Sequence, residues 1–140
     1  MSDFDSMLMK NPWEKEYKPN NAHPFKHGVG CTVHSFTWIG DKVEMGDNVS
    51  IQAFAFIPNN VVIGNNVFIG PHTCFTNDKY PPSSEWLRTT VEDDVTIGAN
   101  ATLLPGITLG KGCRIGAGAV VTKSVPPGEI WVGNPAKPLW

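Results

Sequence analysis

A chain of 140 residues with 41% apolar side chains can close one modest core, while 14 glycines and 12 prolines argue against long helices. The formal net charge of −2 excludes a broad electrostatic attraction to nucleic acid or anionic membranes. The three cysteines are too far apart for a metal pair or a disulfide framework, which favours the cytoplasm, and no apolar run approaches the ~20 residues of a membrane span.

Residues 1–32 carry no internal repeat and are predicted to form an irregular N-terminal cap. Proline interrupts the segment at Asn11-Pro12-Trp13 and again at His23-Pro24-Phe25, where aromatic residues could anchor the chain. Such a cap would cover the unpaired edges of the strands that follow it.

From residue 33 to residue 125 the sequence repeats every six residues. A large apolar residue, here called the anchor, marks each hexad, and a small or β-branched residue follows most anchors four positions later. A helix would need apolar residues three and four positions apart, and this pattern is absent. The fourteen anchors are Val33, Ile39, Met45, Ile51, Ile57, Ile63, Ile69, Phe75, Val91, Ile97, Leu103, Leu109, Ile115 and Val121.

Six residues are enough for one short strand and one corner, so three hexads close a triangular coil. The anchor and the residue four positions later point inward, because side chains alternate along a strand. Gly, Asn and Asp near the corners tolerate the unusual backbone angles there. The sequence therefore predicts an all-β fold, a parallel β-helix of about 14 hexapeptide repeats, in which roughly 4.7 coils stack at ~4.8 Å around one core.

Two segments depart from the repeat. The interval from Phe75 to Val91 is 16 residues instead of six, which predicts an extended loop at about 79–88. Insertions in repeat proteins commonly gather on the binding face, so the loop marks a candidate site. Beyond residue 125, Pro126 and Pro127 end the strand pairing, and residues 126–140 are predicted to form a C-terminal tail.

The corner that contains the loop also contains a lysine. If the loop leaves the phase intact, Asn77 and Lys123 occupy the same corner two coils apart, or ~10 Å by strand spacing. A long, narrow ligand could lie along this corner, with a phosphate near Lys123 and its reactive end near Asn77. His72 belongs to the preceding corner of the same coil. We therefore expect a site that is shared between neighbouring subunits.

Three sets of motifs resemble a known family. The aliphatic-glycine hexads are typical of hexapeptide-repeat acyltransferases, whose β-helix is left-handed and whose assemblies are homotrimers. The stretch Ile69–Pro81, with the string Phe-Thr-Asn-Asp-Lys-Tyr-Pro, resembles nucleotide-sugar N-acetyltransferases acting on amino-dideoxysugars. The segments 115–123 and 133–137 resemble the acetyl-CoA-binding parts of many relatives. Over residues 33–137, the resemblance implies transfer of an acetyl group from acetyl-CoA to a sugar amine.

The resemblance also implies a role for each matching residue and implies no metal. His72 would accept a proton, and Asn77 and Asp78 would hold the sugar near the thioester carbon. The substrate-binding candidates are Gln52, Lys79, Tyr80 and Arg88. The residues expected near acetyl-CoA are Ala99, Ala117, Thr122, Lys123, Pro135 and Lys137.

The nature of the acceptor is argued from the loop turn. Related maltose and galactoside acetyltransferases have His-Pro in this turn and acetylate hydroxyls, whereas this turn reads Asp78-Lys79-Tyr80-Pro81. A hydroxyl needs a base during attack, while a neutral amine is already nucleophilic. N-acetylation is therefore favoured, with O-acetylation of a sugar hydroxyl as one alternative. Pro82 replaces an arginine of many relatives, with Arg88 as a candidate substitute, so an inactive ligand-binding module is a second alternative.

Two other uses of such a prism are disfavoured. A γ-class carbonic anhydrase needs three histidines around zinc, two of them spaced H-x4-H, and the residue five positions after His72 is Asn77. An ice-binding β-helix would carry ranks of Thr-x-Thr on a flat face, and the sequence has none.

Overall fold

The computed structural model describes residues 25–140, which contain strands and no helix, and hence no helix of the kind that spans a membrane. Most of the predicted cap, residues 1–24, lies outside the described residues. The strands are β1 Thr32–Val33, β2 Trp38–Ile39, β3 Glu44–Met45, β4 Ser50–Ile51, β5 Phe56–Ile57, β6 Val61–Ile63, β7 Phe68–Ile69, β8 Cys74–Phe75, β9 Thr89–Val91, β10 Thr96–Ile97, β11 Thr102–Leu103, β12 Thr108–Leu109, β13 Arg114–Ile115, β14 Val120–Val121, β15 Ile130–Gly133 and β16 Ala136–Pro138.

Every third strand along the chain joins the same sheet, which makes a prism with three faces. The first face has the order β1-β4-β7-β10-β13-β15-β16, the second β2-β5-β8-β11-β14 and the third β3-β6-β9-β12. Neighbouring strands are parallel, except that β16 returns antiparallel to β15. We call the corner between the first and second faces the first edge, the next corner the second edge, and the last the third edge.

The interior of the prism consists of the residues that the six-residue period selects. Each of the fourteen anchors is the last residue of one of the strands β1 to β14, and none is more than 6% exposed. The small residues two positions before the anchors are buried as well, among them Val49, Ala101 and Ala119. Burial of one such aliphatic side chain stabilises the fold by roughly 1.5–3 kcal/mol, so stacking supplies the core that one coil lacks.

The loop after β8 does not disturb the phase of the repeat. Leu103 pairs with Phe75 below it and with Val121 above it, and Ile39 pairs with Ile57. The predicted interior ladder of the second face is therefore confirmed. On the third face the strands on either side of the loop pair directly, as β6 with β9, so the extra residues leave the prism at its second edge.

The prism is taller than the anchors alone predict. On the first face six parallel strands stack, with Trp131 of β15 above Ile115. Val125 pairs with Leu109 although it follows Val121 by only four residues, because a shortened corner places it on the third face. At the other end Lys26, in the segment predicted as a cap, pairs with Glu44. Part of the predicted tail thus forms strands β15 and β16.

Left-handed backbone angles recur three residues after the anchors, at the corners. On the third edge they are adopted by Asn48, Asn66 and Asp94, whose side chains join in a hydrogen-bonded column with N–O distances of 3.3 Å. On the first edge they are adopted by Phe36 and Phe54, among others, with φ of 63° and 65°. The expectation of Gly, Asn and Asp at corners therefore holds for the third edge and is incomplete for the first.

Candidate functional site

A groove of about 490 Å³ follows the second edge of the prism. Its walls are corner residues from three successive coils, contributed after β8, β11 and β14, together with the start of the loop. This is the corner on which the sequence places Asn77 and Lys123. The lining residues are Thr76, Asp78, Lys79, Pro81, Leu104, Pro105, Gly106, Ile107, Thr122, Lys123 and Ser124.

The loop returns to the prism at two points. The amide of Leu87 donates to the carbonyl of Asn77 at 2.8 Å, and Asp78 forms an antiparallel bridge with Trp86. Leu87 also lies against Gly106, where an added Cβ would be 3.0 Å from the leucine Cδ1. Because Gly106 has a φ of 80° and no side chain, the loop can approach the groove floor closely.

The carboxylate of Asp78 is held by the loop itself. It accepts hydrogen bonds from the amide of Ser83 at 2.7 Å and from the hydroxyl of Ser83 at 2.6 Å. The hydrogen bond from the Ser83 side chain is the largest cause that lowers the pKa of Asp78 below its ordinary value. The carboxylate is therefore ionised at neutral pH and acts as an acceptor.

At the upper end of the groove Lys123 provides a cation. Its Nζ lies 5.6 Å from the ring centroid of Trp131, which is almost fully buried. The indole nitrogen of Trp131 donates to Glu129 Oε1 at 3.0 Å, which fixes the ring. An ammonium held over an aromatic face has a restricted position, so Lys123 can present its charge to an anion in the groove.

His72 lies on the first edge, one face away from the groove. Its φ is 59°, its side chain is exposed, and its imidazole stacks on Phe54 with ring centroids 5.0 Å apart. Phe54 in turn stacks on Phe36 at 5.2 Å. The candidate proton acceptor and the candidate sugar-holding residues therefore do not meet within one copy of the chain.

Three further predicted residues share the first edge with His72. Gln52 lies one coil below, where its side chain donates to Ser50 Oγ at 2.9 Å. Ala99 and Ala117 lie in the coils above, and the amide of Gly118 donates to the carbonyl of Ala99 at 2.8 Å. The backbone that the resemblance assigns to the pantetheine arm is thus on the same edge as the histidine.

Four predicted residues lie outside both of these groups. Tyr80 is 77% exposed, with Lys79 Nζ 5.7 Å from its ring centroid, and Arg88 is exposed at the end of the loop. Pro135 follows a cis peptide bond in the turn between β15 and β16, and Lys137 is an exposed residue of β16. These two therefore lie at the top of the first face.

The sequence reasoning identified part of the groove and missed the rest. It found Asp78, Lys79, Thr122 and Lys123, which the structure brings together along one edge. The residues it did not assign to a site are Thr76, Pro81, Leu104, Pro105, Gly106, Ile107 and Ser124. All but Pro81 follow a second-face anchor by one to four positions. Pro105 shares the column of Asn77 and Lys123 that the sequence already places at this corner, and the other residues would have been found in the neighbouring columns. Ser83 gave no signal of this kind.

Residues 25–140 contain no group of three or more His, Cys, Asp or Glu side chains arranged to hold a metal ion.

Comparison with protein families finds hexapeptide repeats on both sides of the loop. The model described as bacterial transferase hexapeptide (six repeats) matches residues 42–77, and the model described as hexapeptide repeat of succinyl-transferase matches residues 88–123. Between them the two matches take in most of the coils that build the groove.

Three similar proteins illustrate the likeness. A 2,3,4,5-tetrahydropyridine-2,6-dicarboxylate N-acetyltransferase of Staphylococcus aureus is 51% identical over 57 residues, which are 41% of this chain and 23% of that protein. The acetyltransferase domain of PglB from Neisseria gonorrhoeae, solved with acetyl coenzyme A, gives a TM-score of 0.73 at 26% identity, covering 82% of this chain and 51% of that one. PerB from Caulobacter crescentus, solved with CoA and GDP-perosamine, gives a TM-score of 0.74 at 24% identity. That match covers 83% of this chain and 51% of PerB.

The chain is much shorter than these relatives. It spans about a quarter of the curated relatives it matches and about half of the two solved structures. Their fold extends over more than four-fifths of the present chain. With its hexapeptide repeats, its three-faced parallel prism and these matches, the chain belongs to the hexapeptide-repeat transferase family and has the left-handed β-helix fold of that family.

Proposed function

We propose that this protein is a coenzyme-A-dependent N-acetyltransferase that transfers the acetyl group of acetyl-CoA to the amine of a nucleotide-linked amino sugar. The observation that carries the proposal is the groove of the second edge, which joins the loop after β8 to Thr122 and Lys123 two coils higher. A groove that runs across two coils suits a long donor with phosphates at one end and a thioester at the other.

The chemistry of the groove fits such a donor. The Lys123 ammonium, placed over Trp131, offers a cation to a phosphate, and the Thr122 side chain lies beside it in the groove wall. Pro105, Ile107 and Leu104 supply apolar surface between the two ends. Acetyl coenzyme A is bound in the PglB domain, which shares 26% identity over 82% of this chain, and this supports the same donor here.

The reaction needs positioning and one proton acceptor. The amine nitrogen of the sugar attacks the thioester carbon, a C–N bond forms, and the C–S bond breaks. The nitrogen loses one proton in this process, and the leaving sulfur gains one. The imidazole of His72 is suited to carry that proton, because histidine is the side chain that most often serves in general acid–base catalysis. An amine needs no base before attack, which agrees with the absence of histidine from the loop turn.

A shared site requires more than one copy of the chain, and we propose a homotrimer. His72 lies on the first edge and the groove on the second, so a neighbouring copy must bring its first edge to the groove. Exposed aromatic side chains surround His72, which supports this packing: Phe36 and Phe54 on the edge, and Phe56 beside them on the second face, are 42–52% exposed. Contiguous exposed apolar surface commonly marks a protein interface. A contact in which the first edge of one copy meets the second edge of the next is head-to-tail, and such contacts can close into a ring.

The proposed acceptor is the amine of a nucleotide-linked amino sugar. The Phe-Thr-Asn-Asp-Lys-Tyr-Pro string at the groove supports a nucleotide-linked amino sugar, and a 51% identical segment in an N-acetyltransferase of a different acceptor supports amine chemistry. O-acetylation is the second candidate, and an inactive binding module is the third. The cytoplasm is the proposed location, since acetyl-CoA and reduced cysteines both suit it.

The test is a panel assay with the full chain. Nucleotide-linked 3-amino and 4-amino sugars are each incubated with acetyl-CoA, and release of free CoA thiol is followed against the matching sugars that bear a hydroxyl in place of the amine. Turnover of at least one amino sugar and of no hydroxyl analogue supports the proposal. Turnover of the hydroxyl analogue would establish O-acetylation. Tight CoA binding without turnover of any acceptor would establish the binding module.

A further inference from the structure

The loop over residues 79–88 is held in shape by polar bonds and not by a core. All ten of its side chains are exposed. Its hydrogen bonds converge on Ser83, whose amide and hydroxyl donate to Asp78 and whose carbonyl accepts from the indole nitrogen of Trp86 at 3.2 Å. The amide of Glu85 donates to the same hydroxyl at 3.3 Å. A segment with few apolar contacts opens easily, so these bonds determine how well the loop is ordered.

This ordering matters because the loop is one wall of the groove. Asp78, Lys79 and Pro81 line the groove together with Lys123. They lie in the six-residue segment 78–83 that the contact between Asp78 and Ser83 closes. If that contact opens, Lys79 and Pro81 lose their fixed positions, while the strands β8 and β9 remain paired in the prism.

We propose that Ser83 is a positioning residue for the groove: it holds the Asp78 carboxylate, and through it the wall formed by Lys79 and Pro81, in the shape that binds the donor. The proposal rests on the proposed function for the identity of the ligand. It changes the role of Asp78 from a direct contact to the sugar into the second half of a clasp inside the loop.

The hydrogen bonds favour the clasp over a direct role. Each of the two carboxylate oxygens of Asp78 already accepts a bond from Ser83, at 2.6 and 2.7 Å. Charge-assisted bonds of this length are about twice as strong as neutral ones. They occupy two of the roughly four lone-pair sites of the carboxylate and fix its orientation toward the loop. Ser84, the adjacent serine, is equally exposed and makes none of these bonds, so it offers a matched control.

The experiment compares Ser83→Ala, Ser84→Ala, Ser83→Thr, Asp78→Ala and the double variant of Ser83 and Asp78 in the full chain. Two quantities are measured: the Kd of CoA by calorimetry, with KM and kcat where turnover exists, and hydrogen exchange of the amides of Ser83 and Leu87. In Ser83→Ala we expect a Kd about tenfold higher, the value for a lost charge-assisted hydrogen bond, with kcat nearly unchanged. Exchange at both amides should accelerate about tenfold or more.

The other variants distinguish a clasp from two separate contacts. Ser84→Ala should match the parent, and Ser83→Thr, which keeps the hydroxyl, should recover most of the affinity. If the two residues act as one unit, Asp78→Ala and the double variant should each lose about tenfold, whereas independent contacts would multiply to about a hundredfold. A hundredfold loss in the double variant, or parent-like exchange in Ser83→Ala, overturns the inference.

Failure of this inference is distinguishable from failure of the proposed function. If CoA does not bind the parent protein, the proposed function fails, and the exchange measurement still decides whether Ser83 orders the loop. If CoA binds and all single variants bind it equally well, the proposed function stands and the clasp has no role in it.

Discussion

The imidazole of His72 stacks on the ring of Phe54 with centroids 5.0 Å apart and planes 10° from parallel. Both residues lie three positions after an anchor and adopt nearly equal positive φ values of 59° and 65°. Because the backbone angles are nearly equal in successive coils, the two side chains point in the same direction and lie one strand spacing apart. The stack therefore fixes the imidazole on the first edge, one face away from the groove that it would serve.

Replacement of His72 by Asn should slow acetyl transfer without loss of the fold. Asparagine tolerates the left-handed conformation and already occupies the same column at Asn100, where φ is 60°. Loss of a positioned proton acceptor costs about 10²–10⁴-fold in rate, so kcat should fall within that range. Initial rates and a urea titration measure the two effects.

The control for His72 is Phe54→Leu, which removes the stacked ring and keeps the histidine. It should lower kcat by a smaller factor than His72→Asn, because the base remains and only its orientation loosens. Parent-like turnover in His72→Asn would show that the histidine has a structural role only.

Replacement of Lys123 by Met should weaken donor binding. The ammonium over Trp131 is the cation at the upper end of the groove, and a bond from a charged group contributes about 1.5–3 kcal/mol. KM for acetyl-CoA should rise at least about tenfold with little change in kcat. Lys111→Met removes the same charge from an exposed position that does not line the groove, and should leave KM unchanged. Equal KM values in the two variants would contradict the assignment.

Close stacking of the coils at the first edge predicts that Gly98→Ala lowers the free energy of unfolding. An added Cβ would be 2.5 Å from the backbone nitrogen of Ala117 in the coil above, and backbone cannot move aside like a flexible side chain. We expect a loss of about 1–3 kcal/mol in the free energy of unfolding, measured by urea titration at fixed protein concentration.

A second glycine provides the comparison for Gly98. Gly112 has a φ of 72° and no atom within 4 Å of an added Cβ, and its column contains Asn48 and Asn66. Gly112→Asn should therefore change stability by less than about 0.5 kcal/mol. A larger loss for Gly112→Asn than for Gly98→Ala would refute the spacing of the coils.

The buried thiol of Cys113 predicts a loss of stability in alkali. Burial, with a smaller contribution from the charge of Glu92, raises the pKa of Cys113 to about 11 from an ordinary value near 9. A group whose pKa is raised by folding favours the folded state fully below its unfolded pKa, and that contribution is lost as pH rises from about 9 to 11. The free energy of unfolding of the parent should therefore fall more steeply over this range than that of Cys113→Val.

Valine is the matched substitute because Val95 occupies the same interior position one coil below, next to β10. Urea midpoints at pH 8, 9, 10 and 11 provide the measurement. Parallel curves for the two proteins would show that the thiol does not titrate differently on folding.

Much of the fold could be predicted because each hexad carries its own signal. The anchors identify the buried positions, and the 16-residue interval from Phe75 to Val91 locates the loop that interrupts the repeat. The added height of the prism could not be predicted in this way, since the four-residue step from Val121 to Val125 breaks the period and only pairing with Leu109 reveals it. The sequence therefore places Trp131 in the predicted C-terminal tail, although it is a buried residue of β15.

The site was less predictable than the fold. Corner columns correctly place Asp78 and Lys123 on one edge, because phase is a property of spacing. The partner of Asp78 could not be inferred, since Ser83 lies five positions further along a loop with no period. The aromatic stack below His72 was also missed, because Phe36 and Phe54 adopt backbone angles that phenylalanine rarely occupies.

The most direct test of the account is complementation between two inactive variants. His72→Asn damages the first edge and Asn77→Ala the second, and each alone should be nearly inactive. When the two proteins are unfolded, mixed in equal amounts and refolded together, random trimers would pair an intact histidine with an intact loop at about a quarter of their interfaces. We predict recovery of about a quarter of the parent activity, with trimers visible by native mass spectrometry. Mixed assemblies that stay as inactive as the separate variants would contradict a site built between copies of the chain.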